Sequence, residues 1–296
     1  MYKTIQKIIF LSVSVLMISA CSQQEPIDTY HDTFTIESNY TTSMDINWIH
    51  HDTTYNPVKY KMSVFYPEAT LPTEKVPMIL LLDSFWYREM MENEIVRLIK
   101  NGQMPKALLV SLDYETLDGT WFRQRDLVYP YHNITSEYYE EGKQGHLFYQ
   151  FIKTELFPYL NVNYPVDSSQ CYLLGHSLGG LFTLYSTLDN ASSPLFKGVV
   201  GASCSTGLYN NYLFDKENAV YEASLNGTAV FPQPIKIYMG VGVLVGNAFA
   251  THQAFYDRLS SRNYPNVQIK LDLFEATHTT DSYLAFREGL IYLFND

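Results

Sequence analysis

Polar and apolar positions alternate from about Thr33, with Phe34 and Ile36 on one parity, and again through Val58, Tyr60, Met62 and Val64. A period of two predicts half-buried strands in both places. Val76 to Leu82 and Ala107 to Leu112 are unbroken apolar runs, as strands covered on both faces require. Further strands are predicted in the stretch that opens Gln170-Cys171-Tyr172-Leu173-Leu174, at Gly198–Ala202, at Ile235–Val241 and at Val267–Phe274. Helical spacing runs from Tyr87 to Lys100, His146 to Leu160, Phe249 to Ser261 and Asp281 to Leu293, and follows Gly179. Strands alternating with helices predict an α/β fold: a mostly parallel central sheet with helices on both faces. Two long segments, Tyr114 to Gly145 and Thr206 to Pro234, are expected as loop excursions that line a pocket. The pattern holds no internal repeat and indicates one domain over 33–296.

The first residues follow a different pattern. Lys3 and Lys7 precede an apolar run from Ile8 to Ile18, well short of the ~20 residues a bilayer-spanning helix needs. The run ends Ile18-Ser19-Ala20-Cys21, which resembles the lipobox of bacterial lipoproteins. That resemblance implies a signal peptide over 1–20, cleavage before Cys21 and lipidation of its sulfur, with 21–32 as a polar tether. The expected location is the cell envelope, held to a bacterial membrane by lipid on the non-cytoplasmic side.

Composition narrows the partners. The 31 acidic and 20 basic side chains give a formal charge of −11, so a basic nucleic-acid footprint is absent. Cys171 and Cys204 fall in or beside predicted strands and read as small core residues. With Cys21 they make neither a disulfide framework nor a zinc spacing.

The candidate chemistry sits at Gly175-His176-Ser177-Leu178-Gly179. A G-x-S-x-G sequence between a strand and a helix forms a turn that lifts the serine hydroxyl clear of its backbone. The helix that follows begins with unpaired N–H groups able to hold an oxyanion. Such a serine needs a base to take its proton. Of the eight histidines, only His278 follows the last predicted strand, in the loop before the final helix. Loops at the carboxyl ends of parallel strands meet at one sheet edge, so His278 is placed to meet Ser177.

With these motifs the chain resembles the esterase-D-like esterases of the α/β-hydrolase fold, most closely their siderophore-esterase-like branch. Pro77-Met78-Ile79-Leu80-Leu81-Leu82-Asp83 is similar to that family's strand ending in Leu-Asp-Gly. Arg123-Gln124-Arg125-Asp126-Leu127-Val128-Tyr129-Pro130 resembles its Arg-x-x-Asp-x-x-Pro region, and Glu155-Leu156-Phe157-Pro158-Tyr159-Leu160 its Glu-Leu-x-Pro-Tyr helix end. The resemblance implies Ser177 as nucleophile, His278 as base and then acid, and the backbone N–H groups of Leu178 and Phe85 as oxyanion donors. It implies no cofactor, no metal, and a small-molecule ester as substrate.

Two departures stand out. Ser84 occupies a position where the family usually has glycine, so a side chain is expected to narrow the oxyanion hole. The turn Gly240-Val241-Gly242-Val243-Leu244-Val245-Gly246 lacks the carboxylate that the family carries there. Either Ser177 and His278 act as a dyad, or Asp215, Glu275 or Asp281 substitutes. Arg123, Arg125 and Asp126 are expected to form a structural ion-pair network. The leading expectation is a lipid-anchored serine hydrolase acting through an acyl-enzyme. The competing ones are a ligand-binding lipoprotein on a weakened hydrolase scaffold and an acyltransferase.

Overall fold

The computed structural model describes residues 28–37, 42–46, 51–55, 59–114, 119–130, 143–244, 246 and 248–295. Its strands are β1 (Tyr30–Glu37), β2 (Thr42–Ile46), β3 (His51–Tyr55), β4 (Lys59–Tyr66), β5 (Val76–Leu81), β6 (Leu108–Tyr114), β7 (Val166–His176), β8 (Gly198–Ala202), β9 (Ile235–Gly242) and β10 (Val267–Phe274). Eight of them form one sheet in the order β1-β4-β6-β5-β7-β8-β9-β10, and β2 pairs with β3 separately. The β1–β4 and β4–β6 pairs are antiparallel. From β6 to β10 every pair is parallel.

The central strands are covered on both sides, and the side chains of β7 show how. Cys171 and Leu173 enter one apolar layer, while Tyr172 and Leu174 enter the other. The second layer is closed by α1 (Ser84–Lys100) and α8 (Asp281–Phe294), through Met91, Ile95, Leu98, Phe286 and Leu290. The first is closed by α3 (Gly145–Phe151), α4 (Phe157–Asn163), α5 (Leu178–Asp189), α6 (Leu208–Leu225) and α7 (Ala248–Arg262). Helices therefore lie on both faces, as the alternation of elements predicts.

Several elements depart from the sequence reading. The first described strand begins at Tyr30, three residues ahead of the expected start at Thr33. The segment 114–145 is not all loop: α2 (Gly119–Asp126) lies within it, while 131–142 fall outside the described residues. The excursion expected over 206–234 is largely the 18-residue helix α6. Its pattern is hidden because an inward position carries a charge. Glu217 is fully buried and accepts hydrogen bonds from Arg262 of α7 at 3.0 and 3.1 Å and from the Tyr264 hydroxyl at 3.2 Å. A carboxylate satisfied in this way reads in the sequence as solvent-facing.

The helix predicted from His146 to Leu160 forms, with one wide turn inside it. Ile152–Leu156 is π-helical, and the Phe157 N–H donates to the Ile152 carbonyl. Pro158, just after it, has no N–H to donate and would crowd a regular turn, which the wider one accommodates.

Candidate active site

β7 ends at His176 and α5 begins at Leu178, which leaves Ser177 as the single linking residue. Its backbone sits at φ 57°, ψ −112°, a conformation non-glycine residues seldom adopt. Three backbone hydrogen bonds hold it there. The Ser177 N–H donates to the Ala202 carbonyl at 2.9 Å, and the Ser177 carbonyl accepts from Leu181 at 3.0 Å and Ser205 at 3.2 Å. The flanking glycines are required by contact. A Cβ on Gly175 would lie 2.3 Å from the Gly179 carbonyl carbon, and one on Gly179 would lie 2.8 Å from an Asp83 carboxylate oxygen.

His278 reaches Ser177 from the loop between β10 and α8, with Nε2 3.1 Å from the serine Oγ. The serine O–H donates to that nitrogen when the neutral imidazole carries its proton on Nδ1. Partial burial lowers the pKa of His278, and the nearby His176 and Arg123 push the same way, whereas the Asp281 carboxylate opposes them.

The two predicted oxyanion donors lie in the first turns of separate helices. Leu178 opens α5 and Phe85 is the second residue of α1, so helix geometry leaves both N–H groups without an intrahelical acceptor. Asp83, which precedes α1, adopts a left-handed conformation with φ 55°. It is fixed there by a two-pronged pair with Arg123, at 2.5 and 2.8 Å. Ser84 is the first residue of α1. Its side chain is buried, and its hydroxyl donates to Asp113 of β6 at 3.2 Å. The same Asp113 carboxyl is pushed up to about 6, chiefly by burial.

The predicted ion-pair network divides in two. Arg125 and Asp126 are fully buried and paired with each other, away from solvent. Arg123 instead joins Asp83 beside the elbow, with its guanidinium 5.0 Å over the Trp86 ring. Phe85 and Trp86 are both exposed. With Lys61, Ser63, Arg88 and Asp113 they line a cleft of about 380 Å³, which adjoins the oxyanion-side turn and contains neither Ser177 nor His278.

Among the described residues, no side-chain carboxylate hydrogen-bonds the His278 ring. Glu275 is exposed in the preceding loop, and Asp215 lies in α6. Asp281 is buried at the start of α8. One of its oxygens accepts from the Ser203 hydroxyl and from the Gly242 N–H, the latter at 2.7 Å. The other lies 3.7 Å from Nε2 of His176, not of His278. In the turn after β9 the Leu244 N–H donates to the Ala276 carbonyl at 3.1 Å. Cys171 and Cys204 are buried free thiols, while Cys21 lies outside the described residues. Sequence reasoning missed His176 and Tyr87 as site components. Both are legible only once β7, α1 and the β10–α8 loop are brought together.

Residues 54–273, well over half of the chain, match the model of the esterase family described as "Putative esterase". The chain is 26% identical over 197 residues to the ferri-bacillibactin esterase BesA of Bacillus subtilis, covering 62% of this chain and 65% of that protein. It is 25% identical over 170 residues to the apo-salmochelin esterase of Escherichia coli, covering 54% and 51% respectively. The matched regions thus span less than two thirds of either relative. The crystal structure of the BES protein from Bacillus cereus superposes with a TM-score of 0.69 at 19% identity, over 88% of this chain and 96% of that one. The architecture is that of the α/β-hydrolases, and the chain belongs to the esterase family that the model describes.

Proposed function

We propose that this protein is a serine hydrolase that cleaves a carboxylic ester through an acyl-enzyme. The observation that carries the reading is the 3.1 Å contact between His278 Nε2 and the hydroxyl of the strained elbow serine, Ser177. Ser177 Oγ attacks the ester carbonyl carbon while its proton passes to His278 Nε2. The oxyanion of the tetrahedral intermediate sits on the N–H groups of Leu178 and Phe85. Collapse breaks the bond to the alcohol oxygen, which leaves with the proton from His278. A water molecule then attacks the acyl-serine with His278 as base, and the acid departs as Ser177 is restored.

The substrate in this reading is a small-molecule ester of the siderophore type. The names of the two curated relatives support it, and so does the exposed Phe85–Trp86 shelf. Flat rings find partners on such a surface. Hydrolysis of a p-nitrophenyl ester panel and of trilactone siderophores tests it. Turnover of short esters and faster turnover of a trilactone are expected. An enzyme inert toward every ester would contradict the reading.

His278 works here as a dyad base, oriented without a carboxylate on its far nitrogen. Asp215→Asn, Glu275→Gln and Asp281→Asn should each lower kcat by less than about tenfold, far from the ~10⁴-fold loss a triad acid gives. A thousandfold loss at any of them, with folding intact, would identify the third member of a triad.

The pH profile follows from the depressed imidazole. A base acts when neutral, and a pKa held below 6.5 keeps it neutral further into acid. The acid limb of kcat/KM should therefore have its midpoint below pH 6.5. A midpoint above that value would show that the charged ring is favoured instead.

The lipid anchor belongs to this proposal too. The lipobox-like Ile18-Ser19-Ala20-Cys21 supports attachment through Cys21 to a bacterial membrane on its non-cytoplasmic side. Cys21→Ala should move the protein to the soluble fraction, and continued pelleting with membranes at unchanged N-terminal mass would rule the anchor out.

A further inference from the structure

His176, the residue before the nucleophile, makes contacts that the hydrolytic steps above do not use. Its ring is buried, with Nε2 2.6 Å from the main-chain carbonyl of His278. Its other nitrogen, Nδ1, lies 2.8 Å from the Tyr87 hydroxyl of α1. A carbonyl can only accept, so the proton of the neutral ring is on Nε2 and Nδ1 is an acceptor. The Tyr87 hydroxyl, protonated at neutral pH, donates to that acceptor. The Tyr87 ring is itself braced edge-on against Phe286 of α8, with centroids 5.5 Å apart.

These contacts tie three elements to one ring: α1, the end of β7 and the β10–α8 loop. The consequence for His278 is geometric. Its imidazole is exposed and meets Ser177, while its backbone is held by the residue next to Ser177. The two histidine rings pack at 4.7 Å between centroids. Nucleophile and base are thus joined twice, once by side chain and once through the neighbour's ring. In a triad, a carboxylate on the far nitrogen sets the orientation of the base.

We propose that His176 is the positioning residue of this site: its Nε2–H holds the His278 carbonyl and so aims the His278 ring at Ser177 through the main chain, with Tyr87 fixing the tautomer that makes the bond. The inference rests on the Ser177–His278 reading and assigns it an orienting group.

Steady-state kinetics on p-nitrophenyl acetate, with thermal melts of each variant, test it. His176→Ala should lower kcat by about 10²-fold, the scale of an ångström-sized misplacement, with KM changed less than about twofold. His176→Gln places an amide N–H near the same carbonyl and should restore kcat to within about fivefold of the parent. Tyr87→Phe removes the hydroxyl that fixes the tautomer and should cost about tenfold in kcat. A purely structural histidine would lower the melting temperature without this split between kcat and KM, and glutamine would not rescue it. The proposal is overturned if folded His176→Ala keeps kcat within about threefold of the parent, or if folded His176→Gln is no more active than the alanine variant. If His176→Ala does not fold, Tyr87→Phe decides: an unchanged kcat at an unchanged melting temperature overturns the proposal. Ser177-dependent turnover with an indifferent His176 removes this inference alone. Turnover that survives Ser177→Ala removes the dyad reading and the inference with it.

Discussion

His278→Ala lowers kcat on a p-nitrophenyl ester by about 10⁴-fold or more, Ser177→Ala does the same, and the double variant loses little beyond either. The non-additivity follows from the contact. Without a base at 3.1 Å the serine keeps its proton, and without the serine the base has nothing to activate. What remains is binding and oxyanion stabilisation, which neither substitution touches. Both variants should fold as the parent does. His278 stands in a surface loop with its ring only partly covered, and the backbone of Ser177 is held by main-chain bonds that alanine keeps. Losses that multiply, with each single variant within tenfold of the parent, would mean that the two residues do not act as one unit.

Asp126→Ala destabilises the fold by about 3–5 kcal/mol, the largest effect on stability expected from a single side chain outside the site. The Asp126 carboxylate takes two hydrogen bonds from Arg125, at 2.5 and 2.7 Å, and one from the Tyr60 hydroxyl of β4 at 2.7 Å. Arg125 and Asp126 have no solvent-exposed side-chain surface. Alanine removes the Asp126 charge and its hydrogen bonds from a fully buried pair. Replacing both residues together, Arg125→Met with Asp126→Leu, removes both charges and should recover most of the loss. Urea unfolding of the three proteins measures both effects. A loss below about 1 kcal/mol for Asp126→Ala would contradict the expected effect.

The sequence makes the frame legible because most of it is simple periodicity. β8 lies where its apolar run places it, β10 where its alternation does, and α5 follows the glycine turn. The helix α6 stays hidden because its inward Glu217 is paired with Arg262, a contact no local pattern records. Helix α1 starts at Ser84, ahead of the apolar stripe, because its first turn is fixed by the Asp83–Arg123 pair across 40 residues. The meeting of Ser177 with His278 is legible from chain order and strand topology. The orienting contacts are not. His176 is one letter of a motif in the sequence, and its partners Tyr87 and His278 are 89 and 102 residues away. Asp281 reads equally well as a triad acid or a helix-start residue until the structure sets it against Gly242, Ser203 and His176.

The most direct test of the central claim is the site of covalent capture. The protein is treated with a fluorophosphonate, digested and sequenced by mass spectrometry, in parallel with Ser177→Ala and His278→Ala. A single phosphonyl adduct on Ser177 is expected, absent from Ser177→Ala and formed at least about 10³-fold more slowly in His278→Ala. An adduct on another residue of an esterolytically active protein, or labelling of Ser177 at the parent rate without His278, would contradict the account.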